Sequence, residues 1–240
     1  MDAQKKKITI SFILSAVFFA LFLAFTVIVK FVDIAPIGVF YTNIGLSTVN
    51  KFFFDLLGRN DIFYNLTQIV GYVVILTAVF LCFIGLVQLI KRKNLFKVSH
   101  RILCLCPAYA LMVIVFVVFE NLFINYRPIL IDNVLEYSYP STHTMLVACI
   151  TFTAIPELCA IFKNNKIIKK IIICICVILT LFTAAGRVIA GVHWFSDVCA
   201  SLLVSGAIVS FYYGLLALVE AEKAPAVEDP STQDTTKETN

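Results

Sequence analysis

Uncharged apolar runs recur along this chain at lengths suited to crossing a lipid bilayer as helix. The first, 8–29, holds 22 residues without a charge. Others follow at 67–90, 102–122 (with Glu120 near its end), 144–162 (with Glu157 inside), 169–186 and 198–219. Each approaches the roughly 20 residues that span about 30 Å of hydrocarbon. Backbone polar groups cannot stay unpaired in lipid, so helix is the conformation expected for such runs. The fifth has only 16 uncharged residues, and Lys169 and Lys170 are expected to extend it by snorkelling. Between the first two runs, 31–61 carries Phe40, Tyr41, Phe52, Phe53 and Phe54. It reads either as an interfacial helix or as an aromatic-rich connector. Residues 221–240, rich in Pro, Glu, Asp and Thr without aromatics, read as a disordered tail.

Composition agrees with this pattern. Apolar residues make up 60% and charged residues 14%, against about 45–50% and about 25% in globular chains. Mean hydropathy is +0.94. A soluble domain and a disulfide-stapled secreted domain are both excluded. The eight cysteines sit within apolar runs and read as small buried hydrophobes. Lys5, Lys6 and Lys7 precede the first run as in a signal peptide. That run is longer than a signal's apolar region and lacks a small-x-small cleavage site, so it reads as an uncleaved anchor.

Charge placement sets the expected orientation. Lys5–Lys7, the stretch Lys91 to Arg101, the stretch Lys163 to Lys170 and the C-terminal tail hold 14 of the 19 Lys and Arg. Alternating spans put them all on one side, the cytoplasmic one by the positive-inside rule. The expected fold is therefore all-α: an integral membrane six-transmembrane helix bundle over residues 1–220, with both termini cytoplasmic. The sequon Asn65-Leu66-Thr67 lies against the start of a span and is discounted as a glycosylation site.

A small polar group remains on the other side: Glu120, Arg127, Ser141, Thr142, His143, Arg187, His193 and Asp197. Four separate stretches of chain deliver these residues to one membrane level, and two of only three histidines are among them. Polar helix ends explain the arginines well and the histidines badly, which favours a site. The set suits phosphoryl transfer. Two guanidiniums match phosphate oxygens. Pro140-Ser141-Thr142-His143 begins a helix, so Ser141 or Thr142 can cap it while backbone N–H groups face an anion. His193 and Asp197 are four apart on one helical face, so Asp197 can hold one ring nitrogen and leave the other to attack. His143 can protonate the leaving oxygen. The His–Asp spacing also occurs in metal sites, but two arginines are poor neighbours for a dication, and no metal is expected.

At these residues the sequence resembles the type 2 phosphatidic acid phosphatase superfamily of membrane lipid phosphatases. That family's motifs are K-x6-R-P, P-S-G-H and S-R-x5-H-x3-D. Here they appear as Glu120 with Arg127-Pro128, as Pro140-Ser141-Thr142-His143, and as Gly186-Arg187 with His193 and Asp197. The resemblance implies His193 as the nucleophile that forms a phosphohistidine, Asp197 as its orienting partner and His143 as general acid. It implies Arg127, Arg187, Ser141 and Thr142 as phosphate ligands, with no cofactor. Three positions depart from the pattern. Glu120 replaces a phosphate-binding Lys, Thr142 replaces Gly, and Gly186 replaces Ser. For Glu120 the favoured expectation is pairing with an arginine; a cationic substrate group or low activity are the alternatives.

The resulting expectation is a phosphatase acting on lipid mono- or diphosphates at the outer leaflet, of the undecaprenyl diphosphate, phosphatidylglycerol phosphate or phosphatidate class. A lipid phosphotransferase and a non-catalytic lipid-binding relative are the alternatives, the latter disfavoured because both histidines are present. The expected partners are the lipid phosphate and surrounding membrane lipids, with no nucleic acid. A short chain with little beyond its spans looks bacterial.

Overall fold

The computed structural model describes residues 3–162 and 165–223. Eight helices account for most of them: α1 (Ala3–Phe31), α2 (Ser47–Leu57), α3 (Asp61–Arg92), α4 (His100–Leu103), α5 (Leu105–Glu120), α6 (Thr142–Ile161), α7 (Lys166–Ile189) and α8 (Phe195–Glu222). Helices α4 and α5 join at Cys104 into one span, His100–Glu120. Among the described residues, six helices are thus long and apolar enough to cross a membrane. No strand occurs among the described residues, which carry only isolated bridges such as Tyr126 with Tyr137. The tail expected over 221–240 falls, from residue 224 onward, outside the described residues.

Local chemistry sets several helix ends. The side-chain oxygen of Asn60 accepts from the amides of Ile62 and Phe63 at the start of α3. Asn165 does the same for Ile167 and Ile168 at the start of α7. At the start of α8, Asp197 Oδ2 accepts from the Trp194 amide at 3.0 Å. The carboxylate singled out from the sequence therefore also caps a helix.

Helices α6 and α8 carry more buried residues than any other helix, and α1 runs antiparallel along α8. Gln4 Nε2 donates to the Ala217 carbonyl and Ser15 Oγ to that of Ala207. The core links Phe22 of α1, Leu81 of α3, Ala108 of α5, Cys149 of α6 and Tyr212 of α8. Large apolar side chains such as Ile13, Leu76, Phe83 and Ile178 face outward instead. That surface is stable only against lipid. Cys82, Cys106 and Cys174 also face outward, correcting the expectation that all eight cysteines are buried.

The even number of spans brings Ala3 and Glu222 to one end of the bundle, where Lys7 approaches Glu220 at 3.9 Å. The buried Glu157 is answered at that end by Ser99 Oγ, 2.9 Å from Oε2, and by Arg101 at 4.0 Å. At the opposite end lie the outer loops and α2. The aromatic segment 31–61 does form a helix there. Phe53 stacks on Phe195 at 4.1 Å between centroids, Phe54 packs on Trp194 at 5.6 Å, and Asn50 bonds both the hydroxyl and the amide of Ser196. Helix α2 thereby clamps the first turn of α8, on which the candidate site depends.

Candidate active site

His193 lies in the turn between α7 and α8 and is 2% exposed. Its Nδ1 is 3.0 Å from the Ser138 carbonyl and 3.7 Å from Asp197 Oδ2. Its Nε2 is 3.1 Å from Arg127 Nη1. A guanidinium can only donate, so Nε2 accepts, and the ring proton sits on Nδ1, donating to Ser138 O. The tautomer is thus fixed with the Nε2 lone pair directed at Arg127. Ser138 O is the nearer acceptor, and Asp197 stands behind it. Burial, and then the positive charges of Arg127 and Arg187, hold the imidazole well below the ordinary 6.5, against a smaller upward pull from Ser138. His193 is neutral at physiological pH.

Asp197 is fully buried. Besides the Trp194 amide, it faces Asn125 Nδ2 at 3.5 Å. Asn125 is also fully buried, and its side-chain oxygen accepts from the Gly45 amide at 3.1 Å. Nothing in the motifs points to Asn125 or Ser138. They lie in the irregular stretch between α5 and α6, which has no hydrophobic period to mark them.

Arg127 comes from that same stretch. Its Nε donates to Glu136 Oε2 at 2.9 Å and its Nη1 also reaches the Val192 carbonyl at 3.1 Å. This corrects the expectation for Glu120. The carboxylate that pairs with Arg127 is Glu136, while Glu120 ends α5 without an ion pair among the described residues. Glu120, Glu136 and Arg127 all line one polar pocket of about 330 Å³, together with Ser138 and Thr142. The pair Tyr126↔Tyr137 folds the loop back on itself and makes Glu136 a neighbour of Arg127, whose amide donates to the Glu136 carbonyl.

Ser141 occupies the N-cap position of α6, but its hydroxyl caps nothing. It lies 3.1 Å from Thr144 Oγ1 instead. The Ser141 amide donates to the Asp197 carbonyl at 3.1 Å, so the expectation that Ser141 offers a free N–H to an anion needs correction. Ser201 Oγ, 2.8 Å from the carbonyls of both Ser141 and Asp197, ties the two helix starts together. The amides of Thr142 and His143, in the first turn of α6, retain the open orientation that suits an anion. His143 packs its ring on α3 at Gly71, where a Cβ would meet Cδ2 at 3.2 Å and Nε2 at 3.6 Å.

Arg187, on the last turn of α7, is 1% exposed. Its Nη1 is 3.5 Å from Thr67 Oγ1, its Cζ lies 5.5 Å from the centre of the Tyr64 ring, and its Nε has no partner among the described residues. A buried guanidinium without a carboxylate is costly and calls for an anion.

The PAP2 superfamily model matches residues 106–218, which contain every motif position from Glu120 to Asp197. The resemblance read from the motifs therefore stands. No curated protein sequence matches the chain. Among solved structures, the fold is similar to the first transmembrane PAP2 type phosphatidylglycerolphosphate phosphatase from Bacillus subtilis. The TM-score is 0.58 at 18% identity, over 89% of this chain and 98% of that one. The chain has the fold of a PAP2-type membrane phosphatase.

Proposed function

We propose that this protein is a membrane phosphatase that hydrolyses lipid mono- or diphosphates through a phosphohistidine. The observation that carries the proposal is the fixed tautomer of His193, a neutral imidazole whose Nε2 lone pair meets the Arg127 guanidinium at 3.1 Å. In the reaction Nε2 attacks phosphorus, forming the N–P bond as the P–O bond to the leaving group breaks. His143 gives its proton to the departing oxygen. It then takes a proton from water, whose oxygen displaces His193 and releases inorganic phosphate. Arg127, Arg187 and the amides of Thr142 and His143 hold the three non-bridging oxygens. Asp197 and Ser138 O keep Nδ1 protonated. Two guanidiniums supply the positive charge that a dication supplies elsewhere, so the reaction runs without a metal.

The surroundings support a lipid substrate. The polar pocket at Arg127 shares Phe116 and Thr142 with an apolar groove between α5 and α6, lined by Met112, Val113, Met145 and Leu146. A head group fits the first while its chain follows the second from the bilayer. By the charge asymmetry of the loops, this end faces the outer leaflet of the cell membrane. The phosphate of a phosphatidylglycerol phosphate, phosphatidate or undecaprenyl diphosphate has the required form.

The purified protein in detergent, given a panel of such lipids, should release inorganic phosphate in the presence of EDTA. His193→Ala should lower that rate by about 10³-fold or more. Undiminished release from the variant, or complete loss in EDTA, overturns the proposal. Transfer to added alcohol with no release to water identifies a phosphotransferase instead.

A further inference from the structure

We propose that Thr67 of α3 is a positioning residue for Arg187, supplying from a different helix the hydroxyl that its neighbour Gly186 lacks. The inference rests on the reading of Arg187 as a phosphate ligand. Thr67 is fully buried, and its Oγ1 lies 2.9 Å from the carbonyls of both Phe63 and Tyr64 one turn back. Its single proton is donated there, which leaves oxygen lone pairs to accept from Arg187 Nη1 at 3.5 Å. Among the described residues this is the only hydrogen bond to the Arg187 side chain; the Tyr64 ring supplies the other contact.

Gly186 explains how the two helices come close enough. A Cβ at that position would stand 2.6 Å from Thr67 Cγ2. The space a larger residue would need is filled by the Thr67 methyl, and the hydroxyl beside it faces the guanidinium. Tyr64, Thr67 and Gly71 are spaced three and four apart and so share one face of α3. The first two hold Arg187 and the third admits His143. All three lie outside residues 106–218, the stretch that carries the motifs.

A hydroxyl that holds Nη1 leaves the remaining N–H groups of Arg187 directed at phosphate. Removing it should weaken phosphate binding more than turnover. Thr67→Val keeps the shape and deletes the acceptor, whereas Thr67→Ser keeps the acceptor and deletes the methyl. Titration calorimetry with inorganic phosphate on the full chain in detergent should show affinity about tenfold weaker in Thr67→Val. The KM for a lipid phosphate should rise by a similar factor while kcat stays within about twofold. Thr67→Ser should retain both constants, although its unfolding temperature falls from the lost packing. Wild-type affinity and KM in Thr67→Val overturn the inference. So does an equal loss in both variants, which marks Thr67 as packing alone. Failure of the wild-type protein to release phosphate from any lipid overturns the phosphatase reading. The calorimetric comparison of the variants still decides the role of Thr67.

Discussion

Arg127 Nη1 sits 3.1 Å from His193 Nε2, so a phosphate ligand covers the very nitrogen that attacks phosphorus in the proposed reaction. In the proposed reaction the phosphate takes that N–H for its own oxygen and uncovers the lone pair as it arrives. Glu136 and the Val192 carbonyl accept from two other N–H groups of the same guanidinium.

Neutral His193 has a consequence for stability. Its folded pKa lies well below 6.5, so below that value the unfolded chain takes up a proton that the folded chain refuses. Stability should fall as pH drops through 6.5 and be flat, as far as this group is concerned, above it. The slope attributable to His193 is up to about 1.4 kcal/mol per pH unit. Tm measured from pH 4.5 to 8 for wild type and His193→Gln should converge in shape above 6.5 and diverge below. Parallel curves throughout would refute this.

Gly71→Ala separates folding from catalysis. Alanine favours helix over glycine by about 1 kcal/mol, so Tm should hold or rise. The added Cβ meets the His143 ring at 3.2 Å and should displace the proposed general acid, lowering kcat by about tenfold. The measurements are a thermal melt and steady-state kinetics on one preparation.

Asn125→Ala should be costly for a loop residue. It strips a buried partner from the Gly45 amide and from Asp197, a loss of about 1–3 kcal/mol. Asn125→Asp sets a second carboxylate beside Asp197 and should lose more. Denaturant unfolding in detergent compares the two variants.

Glu120 lines the pocket without pairing to Arg127. Glu120→Lys should therefore improve binding, lowering KM across the lipid panel by about five- to tenfold, with stability changed by no more than about 0.5 kcal/mol. Loss of activity in this variant would make Glu120 a working part of head-group recognition. Glu136→Gln should act in the opposite direction, raising KM severalfold as Arg127 loses its tether.

How much of the site can be read in advance depends on where each partner lies. His193 precedes α8 and Asp197 lies in its first turn, so only four residues separate them and their proximity follows from short-range geometry, although they do not share a helical face. Glu136 is nine residues from Arg127 across an irregular loop, and only the Tyr126↔Tyr137 pairing makes them neighbours. Glu120 is the nearer carboxylate along the chain, yet Glu136 makes the pair with Arg127. Ser138 contributes a backbone carbonyl, which any residue at that position would carry, so no side-chain pattern could mark it. Thr67 stands 120 residues from Arg187. Within the sequence it appears only as the end of a discounted glycosylation sequon.

The sequence by itself determined the six spans and the gathering of two histidines, two arginines and an aspartate at one membrane level. Both follow from the intolerance of lipid for unpaired polar groups, which acts on each segment independently. Tertiary structure decided which acceptor fixes the His193 tautomer, which carboxylate holds Arg127, and which helix steadies Arg187. Those choices depend on contacts between segments far apart in the chain, over distances of a few tenths of an ångström that no periodicity encodes.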